Sequence, residues 1–181
     1  MTLLILGVAL WTGAHLFKRL APDARARMGG SGRAVMTVLI LASMVMMYYG
    51  YKWADGPVWW GRNPALVGIN NLLMVLAFYL YAASGMRTAI TRVIRHPQLT
   101  AVKTWAVAHI LVNGDLASFV LFGGILAWAV VSVIVINRQE PAWTRPAPAP
   151  VWKEGAAVVG TLVVTGLVMM LHNWLGYQPW G

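Results

Sequence analysis

The chain has 181 residues, 59% of them hydrophobic and 10% charged, with a formal net charge of +9 and no cysteine. Soluble domains carry about 25% charged residues, so an ordinary water-soluble domain is excluded, and without cysteine there are no disulfides, iron–sulfur clusters or thiolate-bound metals. The positive charge does not point to nucleic acid, because it lies in short segments between apolar runs and not on one soluble face.

The apolar runs predict six helices of membrane-spanning character. The first covers Thr2–Leu20 and closes on Lys18 and Arg19. It lacks a small-residue cleavage site of the A-x-A kind, so it reads as a retained helix and not a signal peptide. A loop is expected over Ala21–Arg33, broken at Gly29-Gly30. The second helix, Ala34–Tyr51, carries Met44, Met46 and Met47, which read as packing residues. The loop Lys52–Asn63 holds Trp53, Trp59 and Trp60, an aromatic belt of one membrane interface. Pro64 suits a first helical turn and opens the third helix, which runs to Met86. A basic connector with Arg87, Arg92 and Arg95 leads to a fourth helix, Pro97–Val112. Its 16 residues reach only about 24 Å, short for a span. The turn Asn113-Gly114-Asp115 leads into a fifth helix, Leu116–Ile136, in which Gly123 and Gly124 would permit close helix approach. A proline-rich spacer precedes the sixth helix, Gly155–Leu175, and Trp174, Tyr177 and Trp180 mark an interface. The expected architecture is an all-α membrane bundle of six helices in a single domain, residues 1–181.

Lys18, Arg19, Arg25, Arg27, Arg33, Arg87, Arg92, Arg95, Lys103, Arg138, Arg145 and Lys153 fall in or beside alternate loops, twelve of the 14 basic residues. Only Lys52 and Arg62 fall on the other side. By the positive-inside rule both termini face outward, which in a bacterium places the chain in the inner membrane with its termini in the periplasm.

Ionisable groups inside a membrane are costly and are therefore functional candidates. His15, His109 and His172 fall within predicted spans, and His96 falls at the inner interface in the step Arg95-His96-Pro97. Each histidine could equally bridge two helices through hydrogen bonds. Counting along the helices, His15 lies about 6 Å inside Arg19 and His109 about 9 Å inside Lys103. His172 lies about 28 Å from Lys153, near the outer surface. Two imidazoles at one depth on different helices suit the axial positions of a haem, whereas zinc needs three or four ligands. Lys18, Arg19 and Arg95 could then pair with haem propionates. Asn113 either orients His109 or caps the helix end, and Asp115 either caps the next helix or handles protons.

The segment HPQLTAVKTWAVAHILVNGDLASFVLFGGILAW resembles the NnrU family of bacterial integral membrane proteins. A histidine in the first span, His15, and one late in the last, His172, fit the same pattern, and the resemblance covers essentially the whole chain. It implies a role linked to denitrification and nitrogen-oxide metabolism. The family is also similar to the plant and cyanobacterial zeta-carotene isomerase, a membrane haem b protein whose axial histidines match His15 and His109. That similarity implies haem b as cofactor and, as a second reading, cis–trans isomerisation of an apolar polyene. A third reading is a non-catalytic assembly subunit of a larger membrane complex. A more distant similarity, to membrane methyltransferases with an R-H-P step, relies on a downstream glutamate; Glu140 and Glu154 here fall in the proline-rich loop.

Overall fold

A computed structural model describes residues 1–180 and is almost entirely helical. The helices are α1 (Thr2–Leu20), α2 (Pro22–Arg27), α3 (Ser31–Lys52), α4 (Pro64–Met86), α5 (Pro97–Val112), α6 (Leu116–Gln139) and α7 (Val151–Trp174). Five of them, α1, α3, α4, α6 and α7, are long and apolar enough to cross a membrane, with mean hydropathy between 1.3 and 2.7. The chain therefore has the helices of a membrane protein. At 16 residues, α5 falls below that length.

Proline and asparagine punctuate the helix starts. Pro64 and Pro97 occupy first turns, where the missing N–H costs nothing, and the Asn63 carboxamide oxygen accepts the Leu66 N–H at 2.9 Å. Neighbouring helices follow the order α3, α1, α6, α5, α4, α7. Glycine sets the closest of these contacts: a Cβ at Gly7 would lie 2.9 Å from the Met47 backbone nitrogen, and one at Gly50 would strike the Leu4 backbone. Leu4, Leu16, Met47, Ile125, Trp128 and Ala129 form the core where α1, α3 and α6 meet.

The termini and the tryptophan-rich loop share one end of the bundle, since the Asn71 amide donates to the Pro179 carbonyl at 3.2 Å and Leu4 packs at Gly50. We call it the tryptophan end, and the opposite one, with Arg19, Arg95 and Arg138, the basic end. At the tryptophan end two short strands, β1 (Val58–Trp60) and β2 (Gly114–Asp115), pair antiparallel. The Trp60 ring covers Gly114 so closely that a Cβ there would overlap the indole. Trp60 Nε1–H donates to the Leu111 carbonyl at 3.1 Å, and the Asn113 amide donates to the His109 carbonyl at 2.9 Å. Apolar surroundings demand that terminal carbonyls find partners, and this arrangement supplies them where α5 stops short.

Several expectations are corrected. Residues expected as loop form α2, because Pro22 at a first turn and Asp23 beside it favour a helix start. The loop Lys52–Asn63 contains β1, α3 begins three residues early and α7 four residues early, and α6 runs on to Gln139. Within α6, residues Phe119–Gly123 form a π turn, and of the two glycines beside it Gly124, not Gly123, packs tightly, against Val8.

Candidate functional site

The three histidines within the apolar helices share one local geometry. Nδ1–H of His15 donates to the Trp11 carbonyl at 2.9 Å, that of His109 to the Trp105 carbonyl at 2.9 Å, and that of His172 to the Val168 carbonyl at 2.8 Å. Each bond spans four residues, so a helix provides it without outside help. The bond fixes the tautomer and leaves Nε2 as a lone-pair donor, with no protein partner among the described residues. All three rings are partly buried. His96 is different: its Nε2–H donates to Asn137 Oδ1 at 2.8 Å, tying the start of α5 to the end of α6.

Aromatic rings wall these imidazoles. His15 lies against Trp11 at 4.1 Å and Trp128 at 4.9 Å between centroids. His109 lies against Trp105 at 5.0 Å and against Phe122, a residue of the π turn, at 4.7 Å. Trp11 Nε1 and Trp128 Nε1 are buried beside His15 and have no acceptor among the described residues. Buried indole N–H groups ordinarily find one, so this is an orphaned polar pair next to a free imidazole nitrogen.

The structure groups the histidines differently from the depth count. The His96–Asn137 bond places the start of α5 at the basic end, so Lys103 already lies about 9 Å inside and His109 about 18 Å from Pro97. A lysine can snorkel from within a membrane, so Lys103 does not mark a boundary. His15 meets α6 at Trp128 and His109 meets it at Phe122, six residues earlier, or about 9 Å along the axis. His172 lies 21 residues past the start of α7, about 32 Å along that helix, so it and His109 both lie toward the tryptophan end. No group of three or more His, Asp or Glu able to hold a bare metal ion occurs among the described residues.

The remaining candidates have intrachain partners. Arg19 forms an ion pair with Glu140 at 2.5 Å, and the Gln139 amide donates to the Arg19 carbonyl at 2.8 Å, closing α1 onto the end of α6. That guanidinium, with Arg95 and His96 adding smaller effects, holds the Glu140 carboxyl below the usual carboxylate range. The Arg95 guanidinium donates to the carbonyls of Glu140, Pro141 and Ala142. Both arginines named as propionate partners are thus engaged with the segment after α6. Asp115 caps α6, its Oδ1 accepting the Ser118 N–H at 2.9 Å. Its Oδ2 accepts the Ser118 hydroxyl at 2.7 Å, and that hydroxyl lies 2.8 Å from the Tyr51 hydroxyl.

Trp11 and Trp105 each stand one turn before a histidine on the same helix, whereas Trp128 lies on another helix. The repeated spacing Trp11-x3-His15 and Trp105-x3-His109 was a readable signal for the first two. Trp128 and Phe122 gave none, since they reach the histidines from another helix.

With this geometry in hand, the comparisons add one positive result: the family model described as "NnrU protein" matches residues 3–179. No curated protein and no solved structure matches.

Proposed function

This chain belongs to the NnrU family, and from that premise we propose that it is a haem-b-binding protein of the bacterial inner membrane, with both termini on the periplasmic side and a role in nitrogen-oxide metabolism. One observation carries the reading: imidazoles inside the bundle whose Nδ1–H is fixed by a backbone carbonyl and whose Nε2 is free. This is the state an iron-bound histidine needs, because the Nδ1 hydrogen bond orients the ring and raises its basicity. The donor set fits haem b better than zinc, since imidazole is the only strong ligand type offered and no third or fourth ligand gathers.

His109 is the ligand common to both available pairings. The resemblance pairs it with His15, and a shared position toward the tryptophan end pairs it with His172. Haem bound here would supply one-electron exchange at its iron. The chain's own part is to present imidazole lone pairs, to wall the region with Trp11, Trp105, Phe122 and Trp128, and to keep water from it. The test is the haem content of purified variants after expression with added haem precursor. His109→Ala is expected to lose bound haem under either pairing, and of His15→Ala and His172→Ala one is expected to follow it. Full haem content in His109→Ala would refute the assignment.

The aromatic wall favours a second reading, isomerisation of a flat apolar polyene. It predicts an altered cis/trans ratio when the protein is produced beside a cis polyene, and an unchanged ratio removes it.

A further inference from the structure

The last turn of α4 ends in an unusual way. Arg87 adopts φ 57 and ψ 45, the left-handed conformation, and is the only non-glycine residue with positive φ among the described residues. The Thr88 N–H closes the motif on the Ala83 carbonyl at 3.1 Å. Glycine is the usual occupant of that position, because a Cβ is strained there. An arginine serving only as a topology charge needs no particular backbone, so its presence calls for another reason.

The reason we identify is the cleft it lines. Arg87, Ser84, Thr91, Arg95 and Trp143 border a cleft of about 300 Å³ at the basic end, with Pro97 and Pro146 completing the wall. Its volume is at the lower end of the about 300–1,000 Å³ typical of small-molecule sites. The proline-rich segment 141–150 forms its outer side, held in place by the Arg95 bonds to the carbonyls of Glu140, Pro141 and Ala142. Those bonds satisfy the Arg95 donors without neutralising its charge. Arg87 has no hydrogen bond or ion pair among the described residues, and neither do the Ser84 hydroxyl or the Trp143 indole N–H. Thr88, fully buried beside Arg87, keeps an unpartnered Oγ1.

No nearby acid forms an ion pair with either cleft arginine, although Glu140 lies within the field of Arg95. Glu140 is paired with Arg19, and Glu154 accepts the Ala89 N–H at 2.5 Å. The cleft therefore gathers two guanidinium charges, one of them without a partner, and free hydroxyl and indole donors. It does so at the level where helices leave the apolar layer, with Trp143 at its edge.

We infer that this cleft binds a phosphate group, presented by the headgroup of an anionic phospholipid in the leaflet at the basic end. A guanidinium fork matches phosphate oxygens, and basic clefts between membrane helices are where such headgroups lodge. The inference is independent of the haem reading and uses none of its residues except Arg95.

The test uses the full chain in neutral detergent, with phosphatidylglycerol added and the bound lipid counted by native mass spectrometry. Arg87→Gly is the informative variant, because it removes the guanidinium while giving the backbone its preferred residue. The wild type is expected to retain one lipid and to melt at higher temperature with it, as ligand linkage requires. Arg87→Gly and Arg87→Gln are expected to bind at least about tenfold more weakly. Without lipid, Arg87→Gly is expected to melt at or above the wild type, whereas an arginine with a purely structural role would lower the melting point with and without lipid alike. Arg62→Gln, at the opposite end, is expected to bind as the wild type does.

Inorganic phosphate is the second arm. If it saturates the same Arg87-dependent site and displaces the lipid, the phosphate site stands and its natural occupant is a soluble phosphate. Lipid and phosphate binding that is indifferent to Arg87, or is lost equally in Arg62→Gln, overturns the inference.

Discussion

Replacing Gly114 by alanine should test how α5 is allowed to end inside the protein. The new Cβ would fall within the Trp60 indole, which is held between Gly114, the α5 carbonyls and Phe119, 5.4 Å away edge-on. The ring must therefore leave. Its departure removes one hydrogen bond, worth about 1 kcal/mol net, and strands a Leu111 carbonyl, at about 1–3 kcal/mol. It also removes an aromatic pair worth about 0.5–1.5 kcal/mol. Allowing for partial relaxation, the cost is about 2–4 kcal/mol, or a fall of roughly 5–15 °C in melting temperature for a chain of this size. The assay is thermal unfolding in detergent followed by circular dichroism. Gly61→Ala is the control, since nothing lies near its added Cβ. A double-mutant cycle sharpens the test: in a Trp60→Ala background, Gly114→Ala should cost almost nothing. Additive effects, or a Gly114→Ala variant as stable as the Gly61 control, would refute this account of the strand pair.

Three further outcomes follow from other contacts. Asp115→Ala should destabilise by about 1–2 kcal/mol, because the α6 cap and the Ser118 hydroxyl lose their acceptor together, and chemical denaturation in detergent reads it. Tyr51→Phe should cost less, about 1 kcal/mol, since Ser118 still keeps Asp115. The Arg19–Glu140 clasp should depend on pH: a carboxyl whose native pKa is depressed stabilises the fold above its unfolded value, near 4.5, and loses that effect as pH falls through the lower native value. The stability gap between wild type and Glu140→Gln should therefore be present at neutral pH, close under acid, and shrink in high salt because the pair is exposed.

The helices were legible where the chain supplies its own punctuation. Proline at the first turns of α4 and α5, and the basic pair closing α1, set bounds that the structure keeps to the residue. The Asp115 cap was readable for the same local reason. What the sequence hid depends on partners far along the chain. Trp60 meets Gly114 from 54 positions away, and Phe122 reaches His109 only because α5 and α6 pack together. Lys103 reads as a boundary in the sequence, but the His96–Asn137 bond fixes the start of α5 at the basic end and puts His109 deeper. The left-handed Arg87 has no signal in the sequence, since glycine is the usual residue at such a helix end and arginine is not.

The measurement that most directly tests the central claim is the visible absorption spectrum of the purified chain, oxidised and then reduced with dithionite. Two imidazoles on one haem iron predict a Soret band that shifts on reduction, with resolved α and β bands. A protein that remains colourless, even after haemin is supplied to it, would contradict the haem assignment and leave the free Nε2 atoms of His15, His109 and His172 without the role proposed for them.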